Sequence, residues 1–80
     1  MARLARRAEK DLNALPEALT VKAKQIIRYL DQDPHVGKKL AGPLQGKRAT
    51  RLGRSHRIIY IVSEGHVIVL TISHRRDAYR

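Results

Sequence analysis

Apolar and polar positions repeat with two different periods, and the change of period divides the chain in half. Leu4, Ala8, Leu12 and Leu15 recur at spacings of four, four and three, which gathers them on one face of a helix. Pro16 interrupts that series. A proline lacks the amide donor but fits the first turn of a new helix. A second stripe then runs through Leu19, Ala23, Ile26, Ile27 and Leu30, so a second helix is expected from about Pro16 to Asp31. It should stop near Asp33, because Pro34 pushes the residue before it out of the α region. The two helices form a hairpin with one shared apolar seam.

Beyond position 33 the helical period is lost. Pro34, Gly37, Gly42, Pro43 and Gly46 make residues 34–47 a connection, with Leu40 and Leu44 as its anchors on the core. Two β-branched runs follow, Ile58–Val62 and Val67–Ile72. Ser63-Glu64-Gly65 joins them as a short hairpin loop in which glycine supplies a positive φ. A further strand is expected over Lys47–Leu52, turned into the next by Gly53-Arg54-Ser55. Both apolar runs are nearly continuous, as in central strands partly buried on two faces. With a strict period of two, Val67, Val69, Thr71, Ser73 and Arg75 share one face of the last strand. His66, Ile68, Leu70, Ile72 and His74 share the other, and a bulge would swap the faces.

These elements predict a two-layer α+β domain. The helical hairpin (3–32) covers one face of a three-stranded, or four-stranded, antiparallel sheet (47–73), with a loop (33–46) between them and a basic terminal segment (74–80). Eighty residues are too few for two cores, so 1–80 is read as a single domain. The lack of cysteine excludes a disulfide scaffold, a Cys-ligated zinc site and a thiol nucleophile. No apolar run reaches the ~20 residues of a membrane span, and the opening MARLARR has no apolar core for a signal peptide. The expectation is a cytoplasmic protein with no membrane partner.

Charge changes the picture more. Lys and Arg number 17 against 7 Asp and Glu, a formal net charge of +10, so a polyanion is the expected partner. Residues 34–63 hold no acid and seven bases. Residues His74 to Arg80 add Arg75, Arg76 and Arg80 against Asp77 alone. Arginine predominates, and its planar head suits bidentate phosphate contacts.

Three clusters carry candidate chemistry. In residues 47–57, KRATRLGRSHR, the residues Arg48, Arg51, Arg54 and Arg57 recur every third position. On a strand such a series alternates faces, so the four cannot all line one groove. Residues 74–80, HRRDAYR, place an imidazole, three guanidiniums, a carboxylate and a phenol in seven positions. Metal-free RNA cleavage requires deprotonation of the 2′-OH, stabilisation of the phosphorane and protonation of the 5′-oxygen. Arginines can supply the stabilisation, and a histidine or tyrosine the proton transfer. The third cluster is the set of four histidines, His35, His56, His66 and His74. None has a ligand-spaced partner, so no metal and no cofactor is expected. His56 and His74 each adjoin an arginine and stand as candidate proton carriers. Tyr29 and Tyr60 fall where core positions are available, which leaves Tyr79 as the aromatic open to a ligand. A base-stacking platform of the OB or RNA-recognition kind is not expected.

RRAEKDLNALP, the Asp33-Pro34 break, GKKL, LQG, RLGRSHRIIYIV and VIVLTISHRRDAYR together resemble the RelE/ParE superfamily of type II toxin–antitoxin toxins, over nearly the whole chain. The resemblance implies a RelE-like fold and a ribosome-dependent endoribonuclease that cuts mRNA by 2′-OH attack. By position, Arg57 resembles the family arginine that binds the scissile phosphate. Arg75 resembles its phosphate stabiliser or proton donor, and Tyr79 the tyrosine that stacks on or orients the nucleotide. His74 joins these three as a catalytic candidate, while Lys47, Arg48, Arg51, Arg54 and Arg76 are RNA-binding candidates. Ala49 stands where the family often has a lysine, with Lys47 or Arg48 as replacements. The family's opening strand is expected to be absent or vestigial, and the sequence ends at Arg80, short of the C-terminal helix of some members. The implied partners are a cognate acidic antitoxin, in a hetero-oligomer, and the ribosome with its mRNA. The alternatives are a ParE-like inhibitor of DNA gyrase and a non-catalytic nucleic-acid-binding homologue.

Overall fold

The helical seam forms where its spacing places it. In the computed structural model, which describes residues 2–74, helix α1 spans Arg6–Asn13 and helix α2 spans Glu17–Gln32. Pro16 caps the start of α2, and Asp33, ahead of Pro34, ends it. Ala8, Leu12, Ala23 and Leu30 are buried in the seam, with Leu15, Leu19, Ile26 and Ile27 packed against them. No described helix is long and apolar enough to cross a membrane.

The helices cover one face of a five-stranded mixed sheet of order β1-β5-β4-β3-β2. The strands are β1 (Arg3–Leu4), β2 (Lys38–Lys39), β3 (Arg48–Leu52), β4 (His56–Ser63) and β5 (His66–His74). The last three are the antiparallel meander that the β-branched runs require. Glu64 (φ 52°) and Gly65 (φ 81°) connect β4 to β5 as a two-residue turn with both φ values positive, the form that matches strand twist.

The two short strands extend the expected sheet. The opening strand is vestigial, two residues long: Arg3 and Leu4 pair in parallel with Ile68 and Val69. Leu4 therefore belongs to this strand and not to the first helix's stripe. Strand β2 pairs Lys38 with Ala49 and Lys39 with Arg48, and its two lysines make a charged edge that resists further strand addition. Neither strand is long enough to show a period. Past β1, the edge of β5 is closed by a side chain, as the Ile72 N–H donates to Asp11 Oδ2 of α1 at 3.0 Å.

Strand β5 contains the bulge that the strict alternation lacked. Tyr60 faces Val69 and Ile59 faces Thr71, so Leu70 has no partner on β4. Val67, Val69 and Ile72 consequently all enter the core under the helices. Thr71 and Ser73 turn to the open face, away from Val67 and Val69, which corrects the face assignment read from the sequence.

Tyr60 ties the connection to the sheet. It is fully buried in β4. Its hydroxyl accepts from the Gly37 N–H at 2.9 Å and donates to the Pro34 carbonyl at 2.8 Å. A Cβ at Gly37 would overlap the Tyr60 ring, meeting Cε1 at 2.8 Å, so this approach is open to glycine alone.

Candidate functional site

Strand pairing arranges the open face of the sheet in transverse rows. One row is Lys38, Ala49, Ile59 and Thr71, and the next is Arg51, Arg57 and Ser73. Ala49 and Ile59 are buried beneath Leu40, which folds from the connection onto this face. The loop after Leu40, with its 3-10 turn at Gly42–Leu44, then rises as a wall. Between wall and sheet lies a cleft of about 760 Å³ lined by Lys38, Leu40, Pro43, Leu44 and Arg57, among others.

Arg57 is half-buried on the sheet, with Arg51 exposed beside it on β3. On its other side Ser73 Oγ shares a 2.6 Å hydrogen bond with Thr71 Oγ1. Described acids are absent from these two rows, so the cleft is a concentrated positive field with an apolar floor. A partly buried guanidinium in such a setting is screened less than a surface one.

The arginines at positions 48, 51, 54 and 57 divide as their spacing requires. Arg51 and Arg57 pair across strands on the open face. Arg48 points to the helix side, where its Nη1 donates to the carbonyls of His35 (3.1 Å) and Gly37 (2.9 Å). It braces the connection, and with Lys47 it lines a different cleft. Arg54 is exposed in the turn between β3 and β4. Lys38 stands directly across the ladder from Ala49 and lines the Arg57 cleft. Sequence reasoning missed it because β2 has no periodic signal. The visible trace was the GKKL motif.

His74 pairs with His56 at the end of the sheet, their rings 5.4 Å apart and edge to face. His56 Nδ1 also lies 2.8 Å from Ser55 Oγ. Both histidines share the face of Ile58 and Ile72, which pack under the helices, so the structure does not bring His74 to Arg57. Tyr29, expected in the core, is 53 % exposed on α2. Arg75, Arg76 and Tyr79 lie outside the described residues.

The titration of Tyr60 is displaced from its ordinary value. Burial pushes its phenol above the ordinary value. The hydrogen bond from Gly37 and the charge of Arg48 oppose that rise, and Asp33 adds slightly to it.

An α+β layer of this topology recurs in solved structures of toxin–antitoxin complexes. The chain aligns with a chain of the RelBE2 toxin–antitoxin complex from Mycobacterium tuberculosis at a TM-score of 0.84 and 28% identity, covering 94% of this chain and 96% of that one. The YoeB-YefM complex from Staphylococcus aureus aligns at 0.80 with 17% identity, covering 94% and 95%. The intact RelBE complex from E. coli aligns at 0.78 with 17% identity, covering 92% and 94%. At such identity the last two show the fold alone. No curated protein matches the sequence. Residues 2–79 match the family described as the ParE toxin of type II toxin–antitoxin systems, parDE, and the chain belongs to that family.

Proposed function

We propose that this toxin is a ribosome-dependent endoribonuclease that cuts mRNA, with Arg57 on the scissile phosphate. The observation that carries the reading is the placement of Arg57, half-buried in a cationic cleft with Lys38 and flanked by Arg51. In the reaction the 2′-oxygen attacks the adjacent phosphorus. The P–O2′ bond forms and the P–O5′ bond breaks, giving a 2′,3′-cyclic phosphate and a 5′-hydroxyl. The 2′-OH proton goes to a base, and the 5′-oxygen takes a proton from an acid. Arg57 and Lys38 stabilise the charge that builds on the phosphorane oxygens, where fixed donors count most. Arg75 follows two residues after Ser73, the partner of Arg57 on β5. It is assigned the second phosphate contact or the proton donation, and Tyr79 the orientation of the nucleotide. Arg54 and Arg76 contribute to docking on RNA.

A cognate acidic antitoxin is the proposed regulator, bound in a hetero-oligomer in the cytoplasm. The solved RelBE2, YoeB-YefM and RelBE complexes, which contain chains of this fold, support that partner. A second reading, inhibition of DNA gyrase, is favoured by the ParE description of the matching family.

Toeprinting of mRNA on ribosomes separates the two. Arg57→Ala is expected to lower cleavage ~10²–10³-fold, the loss typical of one transition-state donor, with the thermal transition retained. Full cleavage by the variant would remove Arg57 from the site. Intact mRNA together with loss of gyrase supercoiling would establish the second reading.

A further inference from the structure

The loop that walls the Arg57 cleft has a second cleft on its other side. This one is about 670 Å³ and is lined by Lys39, Lys47, Arg48, His35, Gln45 and Val62, among others. No acid lines it. Lys47 and Arg48 are half-buried, so their charges are screened less than those of exposed lysines. Arg48 is held in place by the two carbonyls on its Nη1, and its remaining donors have no protein acceptor among the described residues. The wall itself is fixed, with the Leu40 N–H donating to the Lys47 carbonyl at 3.0 Å and the Lys47 N–H to the Leu44 carbonyl at 3.1 Å.

We propose that this second cleft is a phosphate-binding subsite, which takes a backbone phosphodiester of the RNA chain whose neighbouring segment occupies the Arg57 cleft. The two clefts share Lys39, Leu40 and Ala41 and so open on either side of one loop. A chain with regularly repeated charges enters both, whereas a single small anion fills only one. An acidic peptide that orders on binding draws much of its affinity from buried apolar side chains. Among the described residues, Leu40, Ala41 and Val62 are the only apolar side chains offered here. A phosphodiester needs cations and polar donors, which are what the cleft presents. The inference takes RNA as the ligand, as the proposed function does, but it assigns this phosphate to residues on the helix side of the sheet.

The test is binding of a 2′-O-methylated, uncleavable RNA of about 12 nucleotides, followed by fluorescence anisotropy over a range of salt. Removing one cation from a phosphate should reduce the slope of log K against log salt by about 0.7 for a single strand. Lys47→Gln, which keeps most of the aliphatic stem, and Lys47→Ala are both expected to reduce it by that amount with the melting curve retained. Arg57→Ala should do the same, and Lys47→Gln combined with Arg57→Ala should reduce the slope by about 1.4, the sum for two phosphates. An unchanged slope in both Lys47 variants overturns the subsite, and a reduced slope in Arg57→Ala alongside it leaves the Arg57 reading standing. An unchanged slope in Arg57→Ala with a reduced one in the Lys47 variants supports the subsite and overturns the Arg57 reading. Absence of RNA binding by the wild type, with a polyglutamate peptide bound through Lys47 instead, overturns the subsite as well.

Discussion

Tyr60 shows how one residue sets the position of the cleft's first cation. Its hydroxyl holds Pro34 and Gly37, and Lys38 follows immediately. Tyr60→Phe removes the partner of a buried N–H and of a carbonyl, so a loss of ~1–3 kcal/mol is expected in urea unfolding. The pH dependence follows from the raised phenol. In the unfolded chain the tyrosine ionises at about 10, below its value in the folded state. The stability contributed by Tyr60 is therefore complete below about pH 10 and declines as pH rises toward the folded value. The gap in urea midpoint between wild type and Tyr60→Phe should narrow over that range. A constant gap would show that the phenol does not titrate with folding. Arg48 and Ala49 carry the complementary lesson. Spacing showed that the arginines must divide between faces, but not that Arg48 would be spent on two carbonyls or that Lys38 would stand beside Ala49.

At the scale of elements, the two turns and the bulge decide which side chains meet. The β4–β5 turn is tight because Glu64 and Gly65 both take positive φ. Glutamate bears a steric cost there that asparagine tolerates better. Glu64→Asn is expected to stabilise the domain by up to about 1 kcal/mol, seen as a higher melting temperature with RNA binding unchanged. A lower melting temperature would mean that the Glu64 side chain makes a contribution larger than the strain. The helices and three long strands were legible because each spans enough residues to show its period. The bulge at Leu70 was not. A single extra residue leaves composition and propensity untouched, yet it turns Thr71 and Ser73 onto the Arg57 face. It also leaves Ile72, and with it His74, on the helix side.

The whole molecule is a strongly positive body, with two cationic clefts flanking one loop. An acidic antitoxin and an RNA are attracted by the same field. On the proposed function they compete for the Arg57 cleft. Adding the antitoxin's acidic segment should displace the 2′-O-methylated RNA, and its own affinity should fall steeply with salt. Simultaneous binding of both, with no loss of affinity for either, would place the antitoxin on a remote face.

The sequence by itself determined the identity of the long elements, the helical seam, the family and the location of the charge. Each of these is written in local periods or in summed composition. It also placed Arg57 on a central strand. Only the tertiary structure decided the company that Arg57 keeps. Two-residue strands have no period to read, and a one-residue bulge is set by how both layers pack at once. Lys38 therefore reached the cleft unforeseen, and His74 fell on the other face.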